Sequence, residues 1–311
     1  MAEPRLDSSV LWTFDSHGYH VQPAAFEPGL VDDLEEALVR LERAPAAELP
    51  AGCPRSWTPV INECRLMNVL EAGPPFEHLI DHPSILPWVH ALVRQPARLT
   101  AAYSITRAHG VGLPLHSIEA AGYRSAPGPS SDMLTAVVWL SDCGPSDGPM
   151  VVLEGSHRTG LRPECARAHP SWPAPDHDRG FAAEQAGRTG RAWEEVPGYR
   201  ELQVQRGDMI VFAESIWHGA REVLSQHVRR SLYFSYCPYH FANWHGLSWS
   251  AALQRRVTPA RREMLAGPFI GSRFPGFEPS DLPARIEFPL LPDSERGARV
   301  FPSPLDPHEV P

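Results

Sequence analysis

Apolar residues fall at helical spacing in only a small part of this chain. In residues 28–43, Leu30, Leu34, Leu38 and Leu41 recur three and four residues apart behind Pro28, which predicts an amphipathic helix with proline in its first turn. Residues 18–23 just before it read as a short strand, and further helices are expected near 75–80 and 85–93. From residue 99 the pattern changes. Residues 99–105 alternate and are rich in branched and aromatic types, 133–140 are apolar on both faces as in a central strand, and 150–153 are short and apolar. Strands at 202–205 and 209–212 flank the tight turn Arg206-Gly207-Asp208, and a strand at 232–237 closes the set. Short strands separated by Gly/Pro turns, without β-α alternation, predict a mainly β fold with flanking helices, a sandwich or jelly roll.

Residues 160–200 are polar and long enough to form a lid or excursion inside such a domain. Residues 271–311 are proline-rich and read as a tail, which leaves one domain over 1–270. The chain has 311 residues, and its 42% hydrophobic and 21% charged content fits a soluble globular protein. A net charge of −9, from 28 basic and 37 acidic residues, argues against a phosphate-binding surface, so no nucleic-acid partner is expected. No apolar run approaches the roughly 18 residues of a membrane span, and the first residues lack the basic-then-apolar pattern of a secretory leader. The five cysteines are widely spaced with no Cys-x-x-Cys pair, which favours a reduced, cytoplasmic chain without a cysteine zinc site.

The chemistry concentrates in His116, in Pro-Leu-His-Ser-Ile-Glu (114–119), and His218, in Ile-Trp-His-Gly-Ala (216–220), with Arg229 eleven residues further on. Two imidazoles on neighbouring strands can hold one iron in the two-His-one-carboxylate style, which leaves positions open for a bidentate acid and oxygen. An arginine beyond the second histidine can grip the far carboxylate of that acid. The competing reading is two unrelated hydrogen-bonded histidines among the fifteen in the chain. The carboxylate of such a site should stand two residues after the first histidine; Ile118 occupies that place, and no His-x-Asp or His-x-Glu occurs anywhere.

Other words surround these residues: Gly18-Tyr19 before the amphipathic helix, Asn68-Val69-Leu70, Val138-Trp139-Leu140-Ser141-Asp142, Gly148-Pro149-Met150, Glu154-Gly155-Ser156-His157-Arg158 and Gly207-Asp208-Met209-Ile210-Val211-Phe212. With His218-Gly219 and Arg229, this order resembles the phytanoyl-CoA dioxygenase family from about residue 14 to about 240. Those are iron(II)- and 2-oxoglutarate-dependent oxygenases on a double-stranded β-helix, the cupin-like jelly roll. The resemblance implies iron(II), 2-oxoglutarate and oxygen as cofactors and a small-molecule substrate, hydroxylated or otherwise oxidised, in keeping with specialised metabolism. It makes His116 and His218 the iron-binding imidazoles and Arg229 the partner of the distal carboxylate. Trp139 matches a tryptophan that borders the cosubstrate; a core aromatic on a central strand is the alternative. Gly155-Ser156-His157 is expected to shape a turn, and Glu214 to stand behind the metal ligands or on a solvated loop. Aromatic residues from Tyr236 to Trp249 are candidates to wall the pocket.

Three readings of the third position stay open. Glu119, one place late, can supply the carboxylate if a bulge or turn intervenes. Alternatively a halide or water fills the place, although related halogenases keep a small Ala or Gly there and Ile118 is bulky. In the third, iron is bound weakly or not at all, and the fold serves as an isomerase, cyclase, lyase or ligand-binding protein.

Overall fold

A computed structural model of the chain describes residues 6–93, 96–117, 133–159, 193–239, 241 and 249–266. Met1–Pro268 makes one compact unit. Positions 118 and 119, most of the expected lid (160–192) and the tail at 271–311 lie outside the described residues.

The chain opens with α1 (Ser8–His17), β1 (Tyr19–Gln22) and the expected amphipathic helix α2 (Pro28–Arg43). Asp7 caps α1 by accepting from the Ser9 N–H at 2.7 Å, and Gly18, with φ at 88°, ends it. β2 (Arg55–Thr58), β3 (Glu63–Met67), α3 (Leu86–Leu92), β4 (Ala97–Arg107), β5 (Leu113–His116) and β6 (Leu134–Trp139) follow. Then come β7 (Met150–Leu153), α4 (Ser156–Thr159), β8 (Tyr199–Leu202), β9 (Met209–Ala213), β10 (His218–Ala220) and β11 (Arg229–Pro238). Helices α5 (Ala251–Arg256) and α6 (Pro259–Leu265) close the described chain.

The strands form a seven-stranded sheet, β1-β9-β6-β11-β4-β3-β2, and a four-stranded sheet, β5-β10-β7-β8, with antiparallel pairing throughout. Period-2 alternation sorts the large sheet's side chains into two layers. Leu134, Ala136, Val138, Met209, Val211, Leu232 and Phe234 pack under α1, α2, α3, α5 and α6. Val137, Trp139, Ile210, Phe212, Tyr233 and Ile105 point the other way and meet Met150, Val152 and Leu202 of the small sheet. The central strands β6 and β9 are buried on both faces, which is why their sequences are apolar at every position except Thr135. This is the expected jelly roll, with the helices on one outer face.

Three expectations shift. The helix at 75–80 is a single 3-10 turn, Phe76–Leu79, since Pro75 and the chain turn at Ile80 leave no room for more. The strand placed at 202–205 lies instead at Tyr199–Leu202, so the polar insertion ends earlier; β8 is an edge strand whose half-exposed face carries polar residues. The short strands β5 and β10, which carry the two histidines, are four and three residues long and left no periodic signal.

Candidate active site

Because β5 and β10 are neighbours, their register sets His116 directly opposite His218. The two imidazole centroids stand 4.3 Å apart with ring planes at 53°. His218 Nδ1 lies 2.9 Å from the Ile216 carbonyl oxygen. A carbonyl only accepts, so Nδ1 carries the proton and Nε2 keeps its lone pair. Burial pushes the His218 pKa down to about 4, against the opposing pull of the Ile216 bond. The ring is therefore neutral at pH 7, the form that binds a metal. Phe212 packs against it, centroids 4.7 Å apart. The residue before His218 is pinned on both sides: the Trp217 N–H donates to Ser156 Oγ at 2.9 Å and its carbonyl accepts from the Leu153 N–H at 2.8 Å.

A second cluster lies along the inner face of the large sheet. Arg229 at the start of β11 pairs in register with Arg107 at the end of β4, and Arg107 with Glu63 on β3. Both arginines are fully buried. The Arg229 guanidinium sits 5.1 Å above the Trp139 ring and donates through Nη1 to the Gly148 carbonyl. Trp139 is thus both a core aromatic and the floor beneath Arg229. Arg229 Nε, Arg107 Nε and Trp139 Nε1 are all buried with no hydrogen-bond partner. Each such orphan costs roughly 1–3 kcal/mol. A carboxylate is the group that would satisfy donors of this kind beside two guanidinium charges.

Further along the same face, the Tyr103 and Tyr233 rings stack at 5.0 Å, with Arg65 5.6 Å over Tyr103 and paired to Glu63 at 2.7 Å. Glu214, at the end of β9, is buried and takes a hydrogen bond from the Thr135 hydroxyl, which also contacts Ser235 Oγ at 2.7 Å. Burial raises the Glu214 pKa, while Thr135 and the charge on His116 work against that rise. Glu214 therefore lies inside the barrel within electrostatic reach of His116, and is no solvated loop residue.

The structure brings His116 to His218 and Arg229 to Trp139. Among the described residues no three His, Cys, Asp or Glu side chains gather into a metal-holding group, and Ile118 and Glu119 lie outside those residues. Tyr236 and Trp249 belong to the core under the helices, with the Tyr236 hydroxyl donating to the Leu79 and Ile80 carbonyls at 3.1 Å each, so neither walls the pocket. Trp244 lies outside the described residues. Sequence reasoning passed over Arg107. The signal was the inward parity of Tyr103, Ile105 and Arg107, two residues beyond the expected end of that strand. Gly155-Ser156-His157 does shape a turn, and the His157 imidazole Nε2 donates to the Asp15 carbonyl at 3.0 Å.

Residues 14–231 match the sequence profile of the phytanoyl-CoA dioxygenase (PhyH) family. No curated protein matches the sequence. Several solved structures share the fold. HygX from Streptomyces hygroscopicus, solved with nickel and 2-oxoglutarate bound, is 23% identical with a TM-score of 0.59, over 80% of this chain and 94% of that one. EctD from S. alaskensis, solved with 2-oxoglutarate and 5-hydroxyectoine, is 21% identical with a TM-score of 0.58, over 77% and 78%. SnoN, a non-heme alpha-ketoglutarate-dependent epimerase from nogalamycin biosynthesis, is 18% identical with a TM-score of 0.52, over 75% and 82%.

Proposed function

The chain belongs to the phytanoyl-CoA dioxygenase family, and from that premise we propose that it oxidises a small polar organic molecule with iron(II), 2-oxoglutarate and oxygen. The observation that carries the reading is the pair of facing imidazoles, His116 and His218, 4.3 Å apart on hydrogen-bonded strands. Oxygen is the oxidant, and iron(II) and 2-oxoglutarate would supply the electrons that activate it when bound. The chain's own residues bind, orient and shield. His218 offers Nε2 because Ile216 holds the proton on Nδ1. His116 offers the second imidazole from the opposite strand, and Glu119 is the proposed carboxylate in place of Ile118. Arg229, braced by Gly148 and floored by Trp139, takes the far carboxylate of the cosubstrate. The unsatisfied donors beside it support that fit.

The inner-face residues Glu214, Thr135, Ser235 and Tyr103 suit a substrate bearing hydroxyl or amine groups. That agrees in kind with the hygromycin B and 5-hydroxyectoine bound in HygX and EctD. A second reading is favoured by one observation, the isoleucine where the metal's carboxylate should stand. Under it the chain has left oxidative chemistry and works as an isomerase, cyclase or lyase. Anaerobic titration of the iron(II)-loaded protein with 2-oxoglutarate decides between them. A visible charge-transfer band that is lost in Glu119→Ala supports the displaced carboxylate, a band that persists in the variant points to a two-imidazole centre, and no band in the wild type overturns the oxygenase reading.

A further inference from the structure

We propose that Arg107 is the second cation of the distal-carboxylate site, so that the far end of a dicarboxylic 2-oxo acid is held by the joint charge of Arg107 and Arg229. The inference rests on the reading of Arg229 given above.

Arg107 and Arg229 face each other across adjacent strands, and both are fully buried. Their terminal nitrogens meet backbone carbonyls, and Arg229 also contacts the neutral Cys143 thiol. Arg107 donates to Arg221 at 3.3 Å and to Val111, and Arg229 to Gly148. Carbonyls orient a guanidinium but do not cancel its charge. The carboxylate acting on Arg107 is that of Glu63, its cross-strand partner on β3. One oxygen of Glu63 is already engaged by Arg65 at 2.7 Å. Among the described residues Arg65 and Arg107 thus share the Glu63 carboxylate, and Arg229 adds a third positive charge beside Arg107. Burial and the neighbouring Arg229 charge push the Arg107 pKa down to about 10, the mark of a cation short of counter-charge. A purely structural arginine would spend its donors, yet Nε of both residues is left without a partner.

The backbone around the two arginines is closely packed. A Cβ at Gly112 would meet the Ala220 carbonyl at 2.6 Å, and one at Gly148 would meet Val223 Cγ2 at 2.7 Å and the Arg221 carbonyl at 3.0 Å. Backbones therefore touch over this end of the barrel, and the carbonyls that hold the two arginines come from the same contacts. Where water is excluded, a second positive charge within several ångströms of a carboxylate is worth roughly ten- to a hundredfold in affinity.

The test compares two ligands on the iron(II)-loaded protein: 2-oxoglutarate, and 2-oxopentanoate, which has the same carbon chain without the far carboxylate. Arg107→Gln is expected to weaken 2-oxoglutarate roughly ten- to a hundredfold while changing 2-oxopentanoate less than about twofold, and Arg107→Lys is expected to recover most of the loss. Glu63→Gln, which removes the competing negative charge, is expected to tighten 2-oxoglutarate several-fold, an effect that poor folding cannot imitate. Equal weakening of both ligands in Arg107→Gln, or no change in either, overturns the proposal. So does a Glu63→Gln protein that binds 2-oxoglutarate no tighter, and that arm decides the matter should Arg107→Gln not fold. A wild type that does not prefer 2-oxoglutarate over 2-oxopentanoate overturns the Arg229 reading itself. A preference that depends on Arg229 but not on Arg107 overturns only the inference made here.

Discussion

Replacing Gly18 with alanine should be among the most damaging single-methyl changes in this chain. Gly18 ends α1 with φ at 88°, a conformation that costs an alanine about 1–2 kcal/mol. The added Cβ would also lie 2.9 Å from both Cγ and Cε1 of His157, and closer still to Nδ1. His157 has little room to retreat. Its Nε2 donates to the Asp15 carbonyl at 3.0 Å, and the Gly155 N–H donates to the His17 carbonyl at 3.0 Å, which fixes α4 against the end of α1. Overpacking of this kind adds about 1–3 kcal/mol, for a total near 2–5 kcal/mol. A double-mutant cycle separates the two causes. In a His157→Ala background the clash is gone, so Gly18→Ala should cost only its backbone strain, about 1–2 kcal/mol. Urea denaturation followed by circular dichroism gives all four stabilities. If Gly18→Ala costs the same in both backgrounds, the imidazole is not what Gly18 makes room for, and the account of the Gly-Ser-His word as a lock on α1 is wrong.

Three further outcomes follow from the site. His218→Ala should abolish saturable iron(II) or cobalt(II) binding measured by calorimetry, with thermal stability of the metal-free protein little changed; retained stoichiometric binding would remove His218 from the metal centre. Burial raises the Glu214 pKa above its ordinary value of 4.5, so the folded protein loses stability as pH rises through that raised value and the buried carboxylate ionises. Glu214→Gln should accordingly be more stable than wild type at pH 8, by on the order of 1–3 kcal/mol, with the gap closing towards pH 4; a constant difference across that range would refute the burial argument. His20, His82 and His157 are all held below the ordinary 6.5 by burial, so the stability they share is present above pH 6.5 and lost as pH falls below it, where the unfolded chain takes up protons first. Thermal midpoints measured from pH 7.5 to 5 should fall, and His157→Gln should flatten part of that slope.

How far the sequence revealed this arrangement depended on burial and strand length. The doubly buried strands β6 and β9 announce themselves because every position but Thr135 is apolar, and α2 because one face is. The edge strand β8 and the short β5 and β10 do not, since three or four residues give no period to read. His116 and His218 were legible through chemistry and word order, although the strands that carry them were not. Arg107 was passed over for a different reason. An arginine after an alternating strand looks like a solvated strand end unless the parity of Tyr103 and Ile105 is carried two residues further, and the register with Arg229 shows that it points inward. Glu214 was equally ambiguous, because the turn after β9 that carries it inward beside Thr135 has no signature in Ala-Glu-Ser.

The two ends of the inner face are built to opposite electrostatic purposes, and their separation follows from register. Arg229 opens β11 and Ser235 follows six residues later on the same face, so the arginine pair and the Thr135–Ser235–Glu214 group lie roughly 20 Å apart along the strand. The facing imidazoles come from the small sheet, where His218 pairs with Val152 and Ala220 with Met150, and Glu214 lies within electrostatic reach of His116. On the proposed reading, a dicarboxylic acid anchored at Arg229 turns its keto end to the imidazoles, and the substrate enters from the side of Glu214. Exchanging the signs would defeat both functions. A carboxylate beside Arg229 would neutralise the anchor, as structural ion pairs do elsewhere in this chain at Arg206 and Arg230, and an arginine at 214 would repel the metal proposed for the imidazoles. On the proposed reading, Glu63 is the acid beside Arg107, and with one oxygen engaged by Arg65 it leaves the arginine end to be completed by the cosubstrate's charge, while at the other end the protein supplies its own acid in Glu214.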